Sequence, residues 1–175
     1  MRRHFLAVLG IVLGSLAVSV PASGAAPSKA KAAQPNPATG VYKVAIDPGV
    51  SFADAAQSMR LRANALNLKL VAELPLSKQV EAVTGKPQRV ITIFQFCDAV
   101  TAKELIDMSM DFVIYMPCRI SMIEDTDGKG WLIMPDIDVN LVAKEKNLQK
   151  KLTARIKEVR DGLINIMNAG AHGEL

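Results

Sequence analysis

The sequence predicts an α+β fold: a two-layer domain with a mostly antiparallel sheet, helices on one face and a long C-terminal helix. Three observations predict it. The late apolar runs are joined by tight turns, which suit antiparallel neighbours. The early runs are separated by short helical patterns. From Val139 to about Ala169, apolar residues recur at a 3-4 spacing with charges between them, as in an amphipathic helix.

With 175 residues, half of them hydrophobic and 22% charged, the chain suits one globular domain plus flanking segments and is too apolar for a disordered protein. The formal charge is +4, but Arg2 and Arg3 belong to a removable segment, and without them it is +2. That charge and an aromatic content of only 5% exclude nucleic acid as a partner, because such surfaces cluster basic residues among stacking aromatics.

Residues 1–25 read as a signal peptide. Arg2, Arg3 and His4 make a basic start, Phe5 to Val20 is apolar, and Pro21 to Ala25 supplies small residues for cleavage. The apolar run is short for a bilayer span, which needs about 20 residues. The protein is therefore expected in the periplasm or secreted, touching a membrane only if the signal stays uncleaved. Arg2-Arg3-His4-Phe5-Leu6 also matches the core of a twin-arginine signal, but its flanking polar residue and lysine are missing, so general secretion is the simpler route. Residues 26–40, rich in Pro, Ala and Lys, read as a flexible linker, and 41–170 as the domain, with 171–175 a flexible tail.

Within the domain, Val41 to Ile46 alternates as a strand and Asp47-Pro48-Gly49 turns it. Ser51 caps a helix from Phe52 to about Leu66, with Phe52, Ala55, Ala56, Met59 and Ala63 on one face. Leu68 to Leu74 is a second strand, and Leu76 to Val83 a short helix stopped by Gly85 and Pro87. β-branched residues make Arg89 to Phe96 the clearest strand, and Asp98 or Thr101 caps a helix from about Val100 to Met110. Phe112 to Ile123 reads as one long strand, or two bent around Pro117. A hairpin loop, Asp125 to Gly130, leads to the strand Trp131 to Met134. Its acidic cluster lacks the register of a calcium loop and reads as a solvated turn. Gly162 is the one point where the long terminal helix is open to interruption.

Chemistry concentrates in Arg89 to Met134, which holds both cysteines, the only tryptophan and five of the eight methionines. In an exported protein, Cys97 and Cys118 are a disulfide candidate, and closing a loop of about 20 residues would contribute roughly 3 kcal/mol. They are not a Cys-x-x-Cys pair, so thioredoxin-type exchange has little support. Met116 and Met122 share a strand face with Cys118. Thiolate and thioether are soft donors, so Cys97, Cys118, Met116 and Met122 are candidates for a copper or haem site, beside the plainer reading that they fill a core. A reactive thiol for sulfur transfer is a third reading. Arg119 is a candidate anion site or, more simply, a salt-bridge partner. His172 lies in the expected tail, so neither a zinc site nor a Ser-His-Asp triad is supported, and Gly85-Lys86 lacks the rest of a phosphate loop.

The residues Asp47-Pro48, Phe52, Gly85-Lys86-Pro87, Phe96-Cys97-Asp98 with Ala102 and Leu105, and Met116-Pro117-Cys118-Arg119 together resemble the prokaryotic family known as domain of unknown function 302, over about Val41 to Ala169. The family's first motif usually reads Cys-Asn-Pro, whereas Asp98 and Ala99 follow Cys97 here. The resemblance implies helices on a curved antiparallel sheet, similar to the TATA-binding-protein arrangement, and a homodimer. It implies no reaction, and it carries over only Cys97 and Cys118 as a site. The leading expectation is a non-enzymatic periplasmic binding or assembly protein with a two-cysteine site and room for a small ligand, most simply without a cofactor. The alternatives are a thiol-based redox or sulfur-transfer protein and a copper or haem protein.

Overall fold

The computed structural model describes residues 40–174, so the expected signal and nearly all of the expected linker lie outside the described residues. Eleven elements follow in order: β1 (Val41–Ala45), α1 (Phe52–Ala65), β2 (Lys69–Leu74), α2 (Leu76–Thr84), β3 (Ile91–Cys97), α3 (Ala99–Met108), a 3-10 helix (Met110–Tyr115), β4 (Cys118–Glu124), β5 (Gly130–Pro135), α4 (Val139–Glu145) and α5 (Lys150–His172). The strands form one antiparallel sheet in the order β1-β5-β4-β3-β2. This is the α+β fold expected from the tight late turns and the long terminal helix.

The period of two in the strands sorts the sheet into faces. Val44, Phe94, Phe96, Ile120, Met122, Leu132 and Met134 all point to one side and are buried. α1 and α5 cover that side with Ala55, Ala56, Met59 and Ala63 from one helix and Leu163, Ile166, Met167 and Ala171 from the other. Full burial of each large side chain contributes about 1.5–3 kcal/mol, so this layer is the main source of stability. Small residues let the helices approach closely. A methyl at Gly170 would stand 2.6 Å from Met59 Cγ and 3.2 Å from the Ala55 carbonyl oxygen. A smaller second core gathers Leu105 of α3, Phe112 of the 3-10 helix and Leu152 of α5, with Met116, Val142, Leu148 and Ile156 packed around it.

Caps set most helix starts. Ser51 accepts from the Asp54 amide, Asp98 from the Val100 and Thr101 amides, and Asp138 from the Asn140 and Leu141 amides. The acidic hairpin loop is a turn: Asp125 accepts from the Asp127 and Lys129 amides and from the Trp131 indole at 2.7 Å.

Three expectations are corrected. The strand expected over Phe112 to Pro117 is instead a 3-10 helix through Tyr115, and β4 starts only at Cys118. Ser109 caps that helix, and Phe112 turns inward onto Leu105 and Leu152, so packing overrides the strand propensity of the Phe-Val-Ile-Tyr run. Met116, before a proline, is extended and ends the turn. The single terminal helix is two. Asn147 takes a left-handed φ of 50° between α4 and α5, a conformation asparagine tolerates, whereas Gly162 lies inside an unbroken α5. Finally, the tail expected from Ala171 onward is the end of α5: Ala171 is buried, His172 bonds to Asp47 at 2.8 Å, and Glu174 pairs with Arg62 at 2.7 Å.

Candidate functional site

Where the two cores meet, α3, the 3-10 helix, the adjoining ends of β4 and β5, α4 and α5 leave a cavity of about 370 Å³. Leu105, Phe112 and Val142 line it from the smaller core, and Met134, Val159 and Leu163 from the larger. Both cysteines open onto it. Cys97 is the last residue of β3, where the chain turns into α3, and Cys118 is the first of β4, after Met116 and Pro117, which also line the wall.

Polar groups in the wall largely satisfy one another. Asp98 caps α3 with one carboxylate oxygen, while the other accepts from the Thr101 hydroxyl at 2.8 Å and from Arg155 at 3.0 Å. Burial opposes ionisation of Asp98, but the bonds from Thr101, the Arg155 charge and the Val100 amide outweigh it and hold the carboxyl below its usual range. Across the cavity Arg160 donates from Nε and Nη2 to Asp136 at 2.9 and 2.7 Å. Arg119 makes no salt bridge among the described residues, so the expected ion pair is not formed; it is exposed and is one of the residues lining the cavity.

Both cysteines are free thiols. The register puts Phe96 opposite Cys118 and Lys69 opposite Cys97. Successive residues of a strand point to opposite faces, so Cys97 does not face Cys118 across the ladder. Burial, and then the nearby Cys97, push the Cys118 thiol up to about 11; burial and the Asp98 charge also raise Cys97. Both are therefore protonated at neutral pH, the opposite of the lowered pKa that makes a cysteine a nucleophile.

The cavity thus brings together Cys97, Cys118, Met116 and Arg119 of the sequence candidates. Met122 stands apart. It is 4% exposed within the main core, paired with Leu132 and Thr92, and four residues of strand separate it from Cys118 by about 13 Å. No cluster of three or more His, Cys, Asp or Glu side chains fit for a metal occurs among the described residues. Sequence reasoning missed Arg155, Asp136 and Arg160, whose pairings join positions 57 and 24 residues apart. The one available signal was Asp98, whose place after a strand and before a helix marks it as a cap.

Residues 42–170 match the family described as Domain of unknown function DUF302. The chain is also similar to the crystal structure of an uncharacterized conserved protein DUF302 from Bacillus stearothermophilus, with a TM-score of 0.59 and 11% identity, covering 74% of this chain and 97% of that one. At that identity the likeness is one of fold. Comparison with curated proteins gave no match.

Proposed function

The chain belongs to the DUF302 family, and we propose that it is a non-enzymatic binding protein that takes a small, largely apolar ligand with an acidic end into the two-thiol cavity. The observation that carries this reading is the cavity's lining. Its body is aliphatic and aromatic, the lining residues Asp98 and Arg160 are each paired with a partner of opposite charge, Arg155 and Asp136, and Arg119 is an unpaired cation among the described lining residues. At about 370 Å³ the space falls within the roughly 300–1,000 Å³ range of small-molecule pockets. Protonated thiols suit this role, since they behave as small apolar groups with a weak donor. They argue against sulfur transfer and against a thiolate bound to haem. The amino-terminal signal expected from the sequence would put this binding step outside the cytoplasm.

The test is calorimetric titration with decanoate and decanol, with 1-anilinonaphthalene-8-sulfonate as a fluorescent competitor. Saturable binding of one decanoate per chain is expected. Ala102→Trp, which fills the cavity from α3, should abolish it with the melting temperature preserved. Arg119→Gln should weaken decanoate and leave decanol unchanged. A natively folded protein that binds none of the three probes would overturn the reading.

One observation favours a second reading: Cys97, Cys118 and Met116 present three sulfurs to one cavity, a donor set suited to Cu(I). Copper would have to displace protons held at raised pKa values. Equal Cu(I) affinity in the wild type and Met116→Leu, measured against a chelator, would end it.

A further inference from the structure

The outer side of the 3-10 helix is uncovered. Within its six residues Met110 is 80% exposed, Ile114 70%, Val113 55% and Tyr115 41%, while Phe112 alone turns inward. Exposed Met108, at the end of α3 just before the 3-10 helix, extends the apolar surface. A contiguous apolar ridge of this kind on a folded domain marks an interaction site.

What borders the ridge identifies its partner. The Lys146 ammonium lies 3.1 Å from the Asp111 carboxylate, which fixes the end of α4 against the 3-10 helix. Leu152, near the start of α5, packs on Phe112 and does the same for that end. Lys144, Lys146, Lys150 and Lys151 all lie in this junction and are exposed. The acidic groups nearby are Glu104, Asp107 and Asp111, and Glu145 falls between Lys144 and Lys146 in the sequence; Lys103 pairs with Asp107 and Lys146 with Asp111.

We propose that this ridge docks on an anionic lipid bilayer: Met110, Val113, Ile114 and Tyr115 enter the interface, while the lysines at the α4–α5 junction meet acidic headgroups. Apolar side chains beside a basic cluster are the combination that holds a protein in the interfacial plane. A second copy of the chain is the poorer occupant, because pairing ridge to ridge across a two-fold axis would bring the two sets of lysines together. Ile114 and Tyr115 also line the cavity, so a docked domain would turn one lip of it towards the lipid. This is a route to the membrane separate from any uncleaved signal.

The experiment is co-sedimentation of the mature chain, with no cavity ligand present, on vesicles of phosphatidylcholine alone or with roughly 30% phosphatidylglycerol. Binding is expected only to the anionic vesicles, and it should fall at least tenfold as salt rises from about 0.05 to about 0.5 M. Lys150→Gln with Lys151→Gln should weaken it about 25-fold, at roughly fivefold per lysine. Met110→Ser with Val113→Ser, two exposed residues outside the cavity wall, should cost at least tenfold while the melting temperature holds. No binding to the anionic vesicles, equal binding to both kinds, or insensitivity to salt and to both double variants would overturn the proposal. So would a stable dimer that the Met110 and Val113 changes dissociate, since the ridge would then be its interface. Because no cavity ligand is used, docking can fail while ligand binding stands, and the reverse.

Discussion

Replacing Gly170 by alanine sets two effects of similar size against each other. In a helix interior, alanine is favoured over glycine by about 1 kcal/mol. Against that, the new methyl would lie 2.6 Å from Met59 Cγ, 3.1 Å from Leu132 Cδ1 and 3.2 Å from the Ala55 carbonyl oxygen. Met59 and Leu132 are fully buried, and the third obstacle is backbone of α1. Overpacking of such a site costs about 1–3 kcal/mol, so the net loss should be between about 0 and 2 kcal/mol. Gly162→Ala is the control on the same helix. Its methyl would meet at 2.9 Å only the Leu68 Cδ1 methyl, the far end of a side chain, and should leave stability within about 1 kcal/mol of the wild type or above it. Chemical denaturation of both variants measures the difference. In a Met59→Ala background, the cavity left behind should accommodate the methyl, and the cost at Gly170 should shrink or change sign. If Gly170→Ala is as stable as Gly162→Ala, or costs the same with and without Met59, the close approach of α1 and α5 is misjudged.

The remaining predictions concern charge. The Cys118 thiol is raised in the folded state, so the stability it contributes is complete below the unfolded value of 9.0 and is lost as pH rises towards about 11. Stability measured across that interval should fall more steeply in the wild type than in Cys118→Ala. Asp98→Ala should cost about 1–2 kcal/mol through loss of the α3 cap. Because the Asp98 carboxyl is held below its ordinary value of 3.8, that advantage exists above 3.8 and vanishes as pH falls through the folded value, so wild type and variant should converge in acid. Arg160→Met leaves the Asp136 carboxylate, only 9% exposed, without its partner and should cost about 3 kcal/mol in urea melts. Arg60→Met, at the more open pair with Glu73, should cost under about 1 kcal/mol. Equal losses at the two sites would contradict the burial argument.

The regular parts of the fold were legible because local pattern and packing agree there. Phe52, Ala55, Ala56, Met59 and Ala63 fall on one face at helical spacing, and all pack at the main core. The run after Arg89 is β-branched and aromatic and lies inside the sheet. Legibility failed where distant contacts decide. Phe112 to Tyr115 has strand composition, yet the inward turn of Phe112 onto Leu105 and Leu152 makes it helical. The break at Asn147 follows from one backbone conformation that the apolar stripe hides. At the site, the cysteines were findable as rare residues in a dense apolar stretch. The cavity was not, because its lining comes from seven separate elements, and the pairing of Asp98 with Arg155 or Asp136 with Arg160 has no signature in either neighbourhood.

The edge position of β1, beside β5 and beneath α5, bears on the order of events during folding. Asp47 and His172 meet across 125 residues of chain, and Arg62 and Glu174 across 112. Closing loops of that length precedes the contacts that reward it, which slows folding. Strands β2 to β5 can pair from nearby chain and α1 precedes them, but the part of the cover over their buried face that α5 supplies is missing until that helix exists. During synthesis, Phe94, Phe96 and Ile120 would thus stay only partly covered almost until the last turn emerges, and a holding chaperone would have its longest opportunity at that face.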